Sequence, residues 1–243
     1  MKKPKLLFFD IETTNFSADL SPILCIGYKW EGTRRAKCLS LWDYKDFGRS
    51  RFSLSDKSLC EDFRKIIDEA DAIIGHYSDR FDIPFVNSRF LLHNIPPIRG
   101  IAQVDTWKLA RYNVKLTSNR LKNIGKFLDV KEKKGDNGGW ATWLDIVSRI
   151  PKYSNPAQRK MVKYCKQDVL ALESIFEELR PFAKNLPNCN LWSVGQVCHS
   201  CGSFSLQGWG YRYTNLTRYR RYRCTECGSV GRYDKKNLKP RGL

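Results

Sequence analysis

An apolar run that ends in two carboxylates is the feature that most constrains how this chain can fold. Leu6-Leu-Phe-Phe9 is typical of a buried strand, and Asp10 follows it directly. A carboxylate at such a position is costly to desolvate unless it has a partner. Glu12 lies two residues further along, so its side chain projects from the same face as that of Asp10. The pair can hold a hard divalent cation, although an acidic pair at a strand end is, by itself, more often a solvated edge.

The residues that follow alternate between strand and helix patterns. Segments 23–28 and 36–42 are predicted strands that complete an antiparallel meander with the first one. A helical pattern over 60–70 leads directly into a short apolar strand at 72–74. This order predicts an α/β fold in which a mixed β-sheet is flanked by helices.

The last helix of this region is predicted to begin at Asn155-Pro156, where Asn can cap the helix and Pro suits its first turn. Asn185-Leu-Pro-Asn188 then marks a linker. We therefore predict one domain over residues 1–184 and a smaller one over 185–243. The charged, glycine-containing segment 131–139 is predicted to be a mobile loop. The predicted apolar stripe of the last helix consists of Met161, Cys165, Val169, Leu172, Phe176 and Leu179.

Two more carboxylates accompany this pattern. Asp82 is expected in the first turn of a helix that follows a loop, where it could simply complement the helix dipole. Tyr164 and Asp168 are four residues apart on the last helix and therefore share a face. Asp168 borders the apolar stripe, which is unusual for a charged residue unless it has a metal or another partner.

The charge of the chain indicates a polyanionic partner. Its formal net charge is +18 and its isoelectric point is about 9.6, and clustered Lys and Arg displace the counterions of a phosphate backbone. An anionic membrane surface is the alternative, but the sequence contains neither a basic amphipathic helix nor a lipidation signal. No apolar stretch approaches the roughly 20 residues that cross a bilayer. We expect a nucleic-acid partner, no membrane, and an intracellular location.

The nine cysteines fall into two groups. Five are scattered along the chain, which is typical of reduced thiols in a reducing compartment. The other four form two CxxC pairs, each followed by Gly, and this spacing predicts a site for one structural Zn²⁺ with four thiolate ligands. Disulfides are the alternative, and His199 could replace one ligand. The predicted zinc ligands are Cys198, Cys201, Cys224 and Cys227.

Arginine and tyrosine are interleaved between these two pairs. Such residues can pair with phosphates and stack on unpaired bases, although the tyrosines could instead cover the metal site on a solvated hairpin. We predict that this segment binds nucleic acid. The arginines assigned to this contact are Arg218, Arg220, Arg221 and Arg223.

The carboxylate segments resemble a known family. Phe9-Asp10-Ile-Glu12-Thr-Thr14, Phe81-Asp82-Ile-Pro-Phe85 and Tyr164-x-x-x-Asp168 look like the three motifs of DEDDy exonucleases. Over roughly residues 5–180 the chain is similar to the proofreading exonuclease domain of family B DNA polymerases and its stand-alone relatives, which have a ribonuclease H-like fold. The C-terminal region, with its two cysteine pairs, resembles a zinc ribbon, a small β unit that does not fold without its metal.

The resemblance implies a catalytic mechanism and its residues. Two Mg²⁺ or Mn²⁺ ions would activate a water and stabilise the attacking and leaving oxygens of an in-line displacement. Asp10, Glu12 and Asp168 would hold the ion that activates water. Asp10 would also reach the second ion, and Asp82 would support that second site. Tyr164 would orient the attacking water. The resemblance also implies nucleic-acid contacts by Thr13, His76 and Phe81, whereas Tyr77 stands where the family often has Asn.

These observations predict a two-metal 3′-to-5′ exonuclease that acts on single-stranded or frayed DNA ends, with the ribbon adding affinity. An exoribonuclease with the same site is one alternative, because these motifs do not read the 2′-hydroxyl. A non-catalytic nucleic-acid-binding protein is the other, although all five catalytic candidates are present. A replication or repair protein could also bind the ribbon.

Overall fold

A computed structural model describes residues 4–47, 55–131, 138–184, 186–193 and 195–233. The chain divides into two compact units, Lys5–Phe176 and a second unit formed by Glu177–Leu243 together with Met1–Pro4. The domain boundary expected after residue 184 stays a prediction. Within the described ranges, none of the helices is long and apolar enough to span a membrane.

The larger unit is built around a five-stranded mixed sheet with the strand order β3-β2-β1-β4-β5. The first three strands form the expected antiparallel meander, and β4 and β5 are added in parallel to β1. The α/β prediction with a mixed sheet is therefore confirmed. The strands are Leu6–Thr13 (β1), Ile23–Trp30 (β2), Lys37–Ser40 (β3), Ala72–Gly75 (β4) and Ala102–Asp105 (β5).

Helices cover both faces of this sheet. On one face, the Phe9 ring of β1 lies 5.7 Å from the ring of Phe63 in α1, and on the other, the Phe8 ring lies 5.5 Å from that of Phe176 in α6. Asp10 and Glu12 have the same strand parity as Phe8, so they project towards α6. The α-helices are Lys57–Asp68 (α1), Asp82–Leu92 (α2), Thr106–Asn113 (α3), Leu121–Phe127 (α4), Trp140–Ser148 (α5) and Pro151–Leu179 (α6), with short 3-10 helices at Leu41–Asp43, Lys45–Phe47, Arg180–Phe182 and Cys189–Trp192.

Helix α6 begins earlier than predicted. The expected start at Asn155-Pro156 is wrong, since the helix begins at Pro151 and contains Pro156. Pro151 suits the first turn, where its missing N–H has no helical partner to lose. Pro156 lies on the exposed side, where water can satisfy the carbonyl that its missing N–H leaves without a helical bond. The apolar stripe from Met161 to Leu179 is buried throughout, as predicted. Of the predicted loop at 131–139, residues 132–137 lie outside the described residues.

The second unit contains a three-stranded antiparallel sheet. Its strands β6 (Leu206–Tyr213), β7 (Arg218–Cys224) and β8 (Val230–Arg232) follow in order, and a small core forms around the buried ring of Tyr222. The four paired cysteines lie around this core. A small sheet with a cysteine cluster fits the predicted zinc ribbon.

A buried ion cluster ties α1 to α2 and to β2. Asp56 is fully buried and receives two hydrogen bonds from the Arg89 guanidinium, at 2.9 Å from Nε and 2.7 Å from Nη2. It also contacts His93 Nε2 at 2.6 Å and accepts the Ile23 N–H at 2.8 Å. Because Arg89 is itself buried, its charge depends on this one carboxylate for compensation.

We expect Asp56→Asn to destabilise the larger unit by about 3–5 kcal/mol, because it leaves the Arg89 charge buried and uncompensated. The measurement is the urea unfolding midpoint followed by far-ultraviolet circular dichroism. Asp68→Asn is the matched control, since it removes an exposed i,i+4 pair with Arg64, and it should cost less than about 1 kcal/mol. Similar small shifts for both variants would contradict this account.

Candidate active site

Three carboxylates converge where β1 faces α6. Asp10, Glu12 and Asp168 each offer an oxygen, and these oxygens all lie within 4.8 Å of one another. Asp168 is buried, with 2% of its surface exposed, whereas Asp10 and Glu12 are half-buried. The strand register shifts between Glu12 and Thr13, and such bulges re-aim side chains at functional sites. The structure therefore brings together the two sequence segments that were predicted to share the site.

Gly27 permits the close approach of α6 to the sheet. This residue pairs with Asp10 across β1 and β2, and a Cβ at Gly27 would lie 2.8 Å from the carbonyl oxygen of Cys165. Any larger side chain would push the helix away. The sequence signal was a glycine inside a strand pattern, which often marks a close approach of another backbone.

Tyr164 lies beside this carboxylate group. Its side chain is almost fully buried, and burial raises the pKa of its phenol well above the usual value. The neighbouring charges of Asp168, Glu12 and Asp10 raise that pKa further. The phenol therefore stays protonated at neutral pH and can act as a hydrogen-bond donor.

Asp82 occupies a separate buried position. It lies in the first turn of α2 and accepts the N–H of Ile11 at 3.2 Å, so it is tied to the strand residue between Asp10 and Glu12. Burial raises the pKa of Asp82 to about 7, and Asp105 adds to this rise, while the Ile11 N–H opposes it. Asp82 is not part of the group of three carboxylates that lies within 4.8 Å.

Asp105 is a site residue to which the sequence analysis gave no role. It is buried at the end of β5 and accepts the N–H groups of Tyr77, Asp79 and Trp107 at 2.8, 3.3 and 2.9 Å. These bonds hold the loop that leads into Asp82. A carboxylate directly after an apolar strand residue, as at Asp10, was the signal that could have identified it.

Tyr77 has a backbone conformation that is uncommon for a bulky residue. Its φ is 61°, a conformation that Asn tolerates and that costs a bulky residue of order 1–3 kcal/mol. The N–H bond to Asp105 and the contact of its ring with Trp107, at 5.4 Å between centroids, offset this cost. The neighbouring His76 is held through Nδ1 by the Thr106 hydroxyl at 2.8 Å.

The carboxylate group fits a hard divalent cation. Its donors are all oxygens, which Mg²⁺ and Mn²⁺ prefer. Three acidic groups this close repel one another, and a cation would relieve that repulsion. Asp10, Glu12 and Asp168 are the residues that could hold it.

An aromatic pocket of about 520 Å³ opens beside Glu12 and Thr13. Phe81, at the start of α2, lines it together with Phe16, whose ring centroid is 6.1 Å away. Phe16 is 90% exposed and Trp140, another lining residue, is 61% exposed. Trp143 completes the set of aromatic side chains. Thr13 and Phe81 were predicted from sequence, whereas the other three rings were missed because they are distant in the chain and share no motif.

The four ribbon cysteines fit one zinc ion. The Sγ atoms of Cys198 and Cys227 are 3.6 Å apart and those of Cys201 and Cys224 are 3.7 Å apart. Tetrahedral zinc with bonds of about 2.3 Å places its sulfur ligands about 3.8 Å apart. All four are thiols rather than disulfides. His199 points its Nδ1 to the Tyr222 hydroxyl at 3.0 Å, and burial lowers the pKa of His199.

The ribbon arginines lie against aromatic rings. The guanidinium of Arg218 lies 4.7 Å from the ring centroid of Tyr211, that of Arg220 lies 5.1 Å from Tyr233, and that of Arg223 lies 5.2 Å from Trp209. These three arginines are exposed, whereas the fourth predicted one, Arg221, is half-buried. Tyr222 packs against the buried cysteines Cys198 and Cys224, whereas Trp209, Tyr211 and Tyr213 are exposed.

Two known DNA polymerases resemble this chain over part of their own length. A DNA polymerase from Archaeoglobus fulgidus is 24% identical over 145 residues, which is 52% of this chain and 18% of that polymerase. The solved structure of the family B DNA polymerase from the hyperthermophilic archaeon Pyrobaculum calidifontis has the same fold, with a TM-score of 0.54 and 17% identity. That likeness covers 90% of this chain and 32% of the polymerase. The chain therefore spans well under half the length of either polymerase.

The family assignment rests on a longer match. Residues 7–180 match the sequence model of the RNase H superfamily. This range includes all five strands of the mixed sheet, the three converging carboxylates and Tyr164. The chain belongs to the RNase H superfamily.

Proposed function

We propose that this protein is a metal-dependent 3′-to-5′ exonuclease of the DEDDy type that hydrolyses phosphodiester bonds at DNA ends. The observation that carries the proposal is the convergence of the Asp10, Glu12 and Asp168 carboxylates within 4.8 Å, beside the buried phenol of Tyr164. The superfamily fold supports a nuclease. The similarity to DNA polymerases, although it covers only part of their length, favours DNA as the substrate.

Each side chain of the site would have a separate role in hydrolysis. When bound, Mg²⁺ or Mn²⁺ would supply Lewis acidity towards the scissile phosphate and its attacking water. Asp10, Glu12 and Asp168 would hold one ion, and Asp82, fixed by the Ile11 N–H, would support a second. Tyr164, kept protonated by its surroundings, would orient the attacking water by a hydrogen bond. Water attacks the phosphorus, and the bond to the 3′ oxygen of the preceding nucleotide breaks.

The aromatic pocket supports an unpaired terminal nucleotide as the substrate. Phe16, Phe81 and Trp140 line a space of about 520 Å³ that adjoins Glu12. A base stacked on an aromatic ring gains about 1–3 kcal/mol regardless of its identity. A paired base would have to leave its duplex to enter. We therefore infer a preference for single-stranded or frayed ends, with Thr13 and His76 as further predicted contacts to the nucleic acid.

The ribbon would contribute affinity rather than chemistry. Its ligands are soft thiolates in a closed structural site, and such thiolates require the reducing compartment inferred from the sequence. Arg218 and Arg223 are exposed beside exposed aromatic rings, and Arg220 is exposed beside the half-buried ring of Tyr233. This combination suits phosphates and unpaired bases. The net charge of +18 favours such a role. A replication or repair protein as a partner of the ribbon stays a prediction.

We expect Asp10→Asn to lower hydrolysis at least about a hundredfold, because it removes the carboxylate assigned to both ions, which supply several kcal/mol of stabilisation. Tyr164→Phe should lose less, since it removes one hydrogen bond. The measurement is release of nucleotides from end-labelled single-stranded DNA, duplex DNA and RNA with Mg²⁺ or Mn²⁺, with circular single-stranded DNA testing the need for an end.

Glu61→Gln is the control for this experiment, because Glu61 is an exposed acidic residue of α1, and it should retain full activity. Wild-type cleavage of circular DNA would contradict the exonuclease assignment. Faster hydrolysis of RNA than DNA would assign the same site to an exoribonuclease. Binding without any cleavage of these substrates would favour a non-catalytic nucleic-acid-binding protein.

Trp140→Ala should raise the KM for single-stranded DNA by about 5- to 100-fold, the range expected for loss of one stacking contact. Phe127→Ala is the matched control, because Phe127 is similarly exposed, at 66%, but does not line the pocket. An oligonucleotide whose 3′-terminal residue lacks its base should abolish the difference between wild type and Trp140→Ala. The pocket assignment fails if the two variants behave alike on the intact substrate.

Replacing Arg218, Arg220 and Arg223 together by Gln should weaken DNA binding. The slope of the logarithm of the binding constant against the logarithm of the salt concentration should also fall in magnitude by about two, since each phosphate contact contributes roughly 0.7 on single strands. Dissociation constants across a salt series provide the measurement. The control replaces three exposed cations of the larger unit, Arg34, Arg35 and Lys37, which should change the slope less.

If the two triple variants have the same affinity and slope, the ribbon arginines do not contact DNA. A protein partner would then be the remaining explanation for their exposure beside the aromatic rings. Hydrolysis of a saturating substrate should be unaffected by the ribbon variant, since none of its changed residues belongs to the carboxylate site.

A further inference from the structure

A second thiol cluster lies within the larger unit, apart from the ribbon. The Sγ atoms of Cys25, Cys38 and Cys165 all lie within 4.8 Å of one another. Cys25 and Cys165 have no exposed surface, while Cys38 is half-buried and gives the cluster access to solvent. The proposed hydrolysis uses none of these three thiols.

The fold brings these residues together from three elements. Cys38 pairs with Gly27 and Cys25 pairs with Ser40 across β2 and β3. Residues that pair directly, or lie two apart on a strand, share one face of a sheet, so Cys25 and Cys38 both project towards α6. Cys165 enters from α6 above Gly27, where a Cβ would lie only 2.9 Å from its Sγ. The absence of a side chain at Gly27 creates the space in which the sulfurs meet.

The sulfur separations suit a single thiophilic ion. Zinc with bonds of about 2.3 Å holds its thiolate ligands about 3.8 Å apart, so separations within 4.8 Å need contractions of at most about 1 Å. The positive charge of Lys166 acts on Cys38 and would offset part of the negative charge of three thiolates.

We propose that Cys25, Cys38 and Cys165 bind one thiophilic d¹⁰ cation, with Zn²⁺ as the probe, at a three-thiolate site distinct from the ribbon. Because Cys38 is half-buried, a solvent molecule would supply the fourth ligand, which is the arrangement of an open zinc site. The ion would join β2, β3 and α6. Because Cys165 follows Tyr164 directly, the site would fix the part of α6 that presents Tyr164 and Asp168 to β1.

The test is the zinc content of the full-length protein, purified under reducing conditions and measured by inductively coupled plasma mass spectrometry. Wild type should contain about two zinc ions per chain, one of them in the ribbon. Cys38→Ala should contain about one, and Cys38→His, which keeps a ligand, should retain two. Cys189→Ala is the control, since Cys189 is a buried thiol that belongs to neither cysteine cluster, and it should also retain two.

The two sites can be distinguished by a ribbon variant. Cys224→Ser should lose one zinc and leave the other, while Cys224→Ser combined with Cys38→Ala should contain none. Cadmium substitution provides a second readout, because the sulfur-to-metal charge-transfer band should be weaker in Cys38→Ala than in wild type. Circular dichroism establishes that each variant is folded, and Cys38→His addresses the case in which Cys38→Ala is not.

Three results would overturn the proposal. One is a single zinc in wild type that disappears entirely with Cys224→Ser. Another is an unchanged zinc content in Cys38→Ala. The third is a disulfide between two of the three cysteines in the purified protein. None of these outcomes depends on hydrolysis, so the proposal and the exonuclease assignment can fail independently.

Discussion

The close approach of α6 to β2 is the constraint on which the candidate active site depends. At Gly27 the helix backbone comes so near that a methyl group would lie 2.8 Å from the Cys165 carbonyl oxygen. Further along the helix, Glu173 accepts a hydrogen bond from the buried Lys29 of β2 at 2.6 Å. Cys165, Val169 and Glu173 follow one another at intervals of four residues, so each is the neighbour of the next along one side of α6. They fix the height and rotation of the helix, and therefore the positions of Tyr164 and Asp168.

This packing has an electrostatic cost, because it brings like charges together in a buried part of the unit. It places the buried Asp168 against Asp10 and Glu12, and it puts Tyr164 where burial and the nearby charges raise its pKa. Proteins arrange like charges this closely where function requires perturbed groups, although structural networks also do so. Asp56, another buried acidic residue of this unit, forms an ion pair with Arg89. A divalent cation held by the carboxylates of Asp10, Glu12 and Asp168 would offset their mutual repulsion.

Local periodicity was sufficient to predict much of this site. The two-residue repeat of a strand placed Asp10 and Glu12 on one face, and the four-residue repeat of a helix did the same for Tyr164 and Asp168. The predicted start of α6 was wrong because Pro151 and Pro156 both suit the first turn of a helix. Which of them begins the helix depended on which side of the helix is exposed. Phe16 and Trp140 carry no local signal, since only tertiary packing decides that residues more than a hundred positions apart line one pocket.

The chain combines two kinds of ligand chemistry that differ in hardness. Carboxylate oxygens suit ions such as Mg²⁺, whereas thiolates such as those of the ribbon suit Zn²⁺. This separation matters because Cys165 lies next to Tyr164 in sequence and its Sγ is 3.8 Å from the Asp10 carbonyl oxygen. If thiolates and carboxylates converged on one space, a thiophilic ion could bind there in place of a hard cation. The three thiols instead converge with one another, so the same helix can present oxygen donors to β1 and a sulfur donor to β2 and β3.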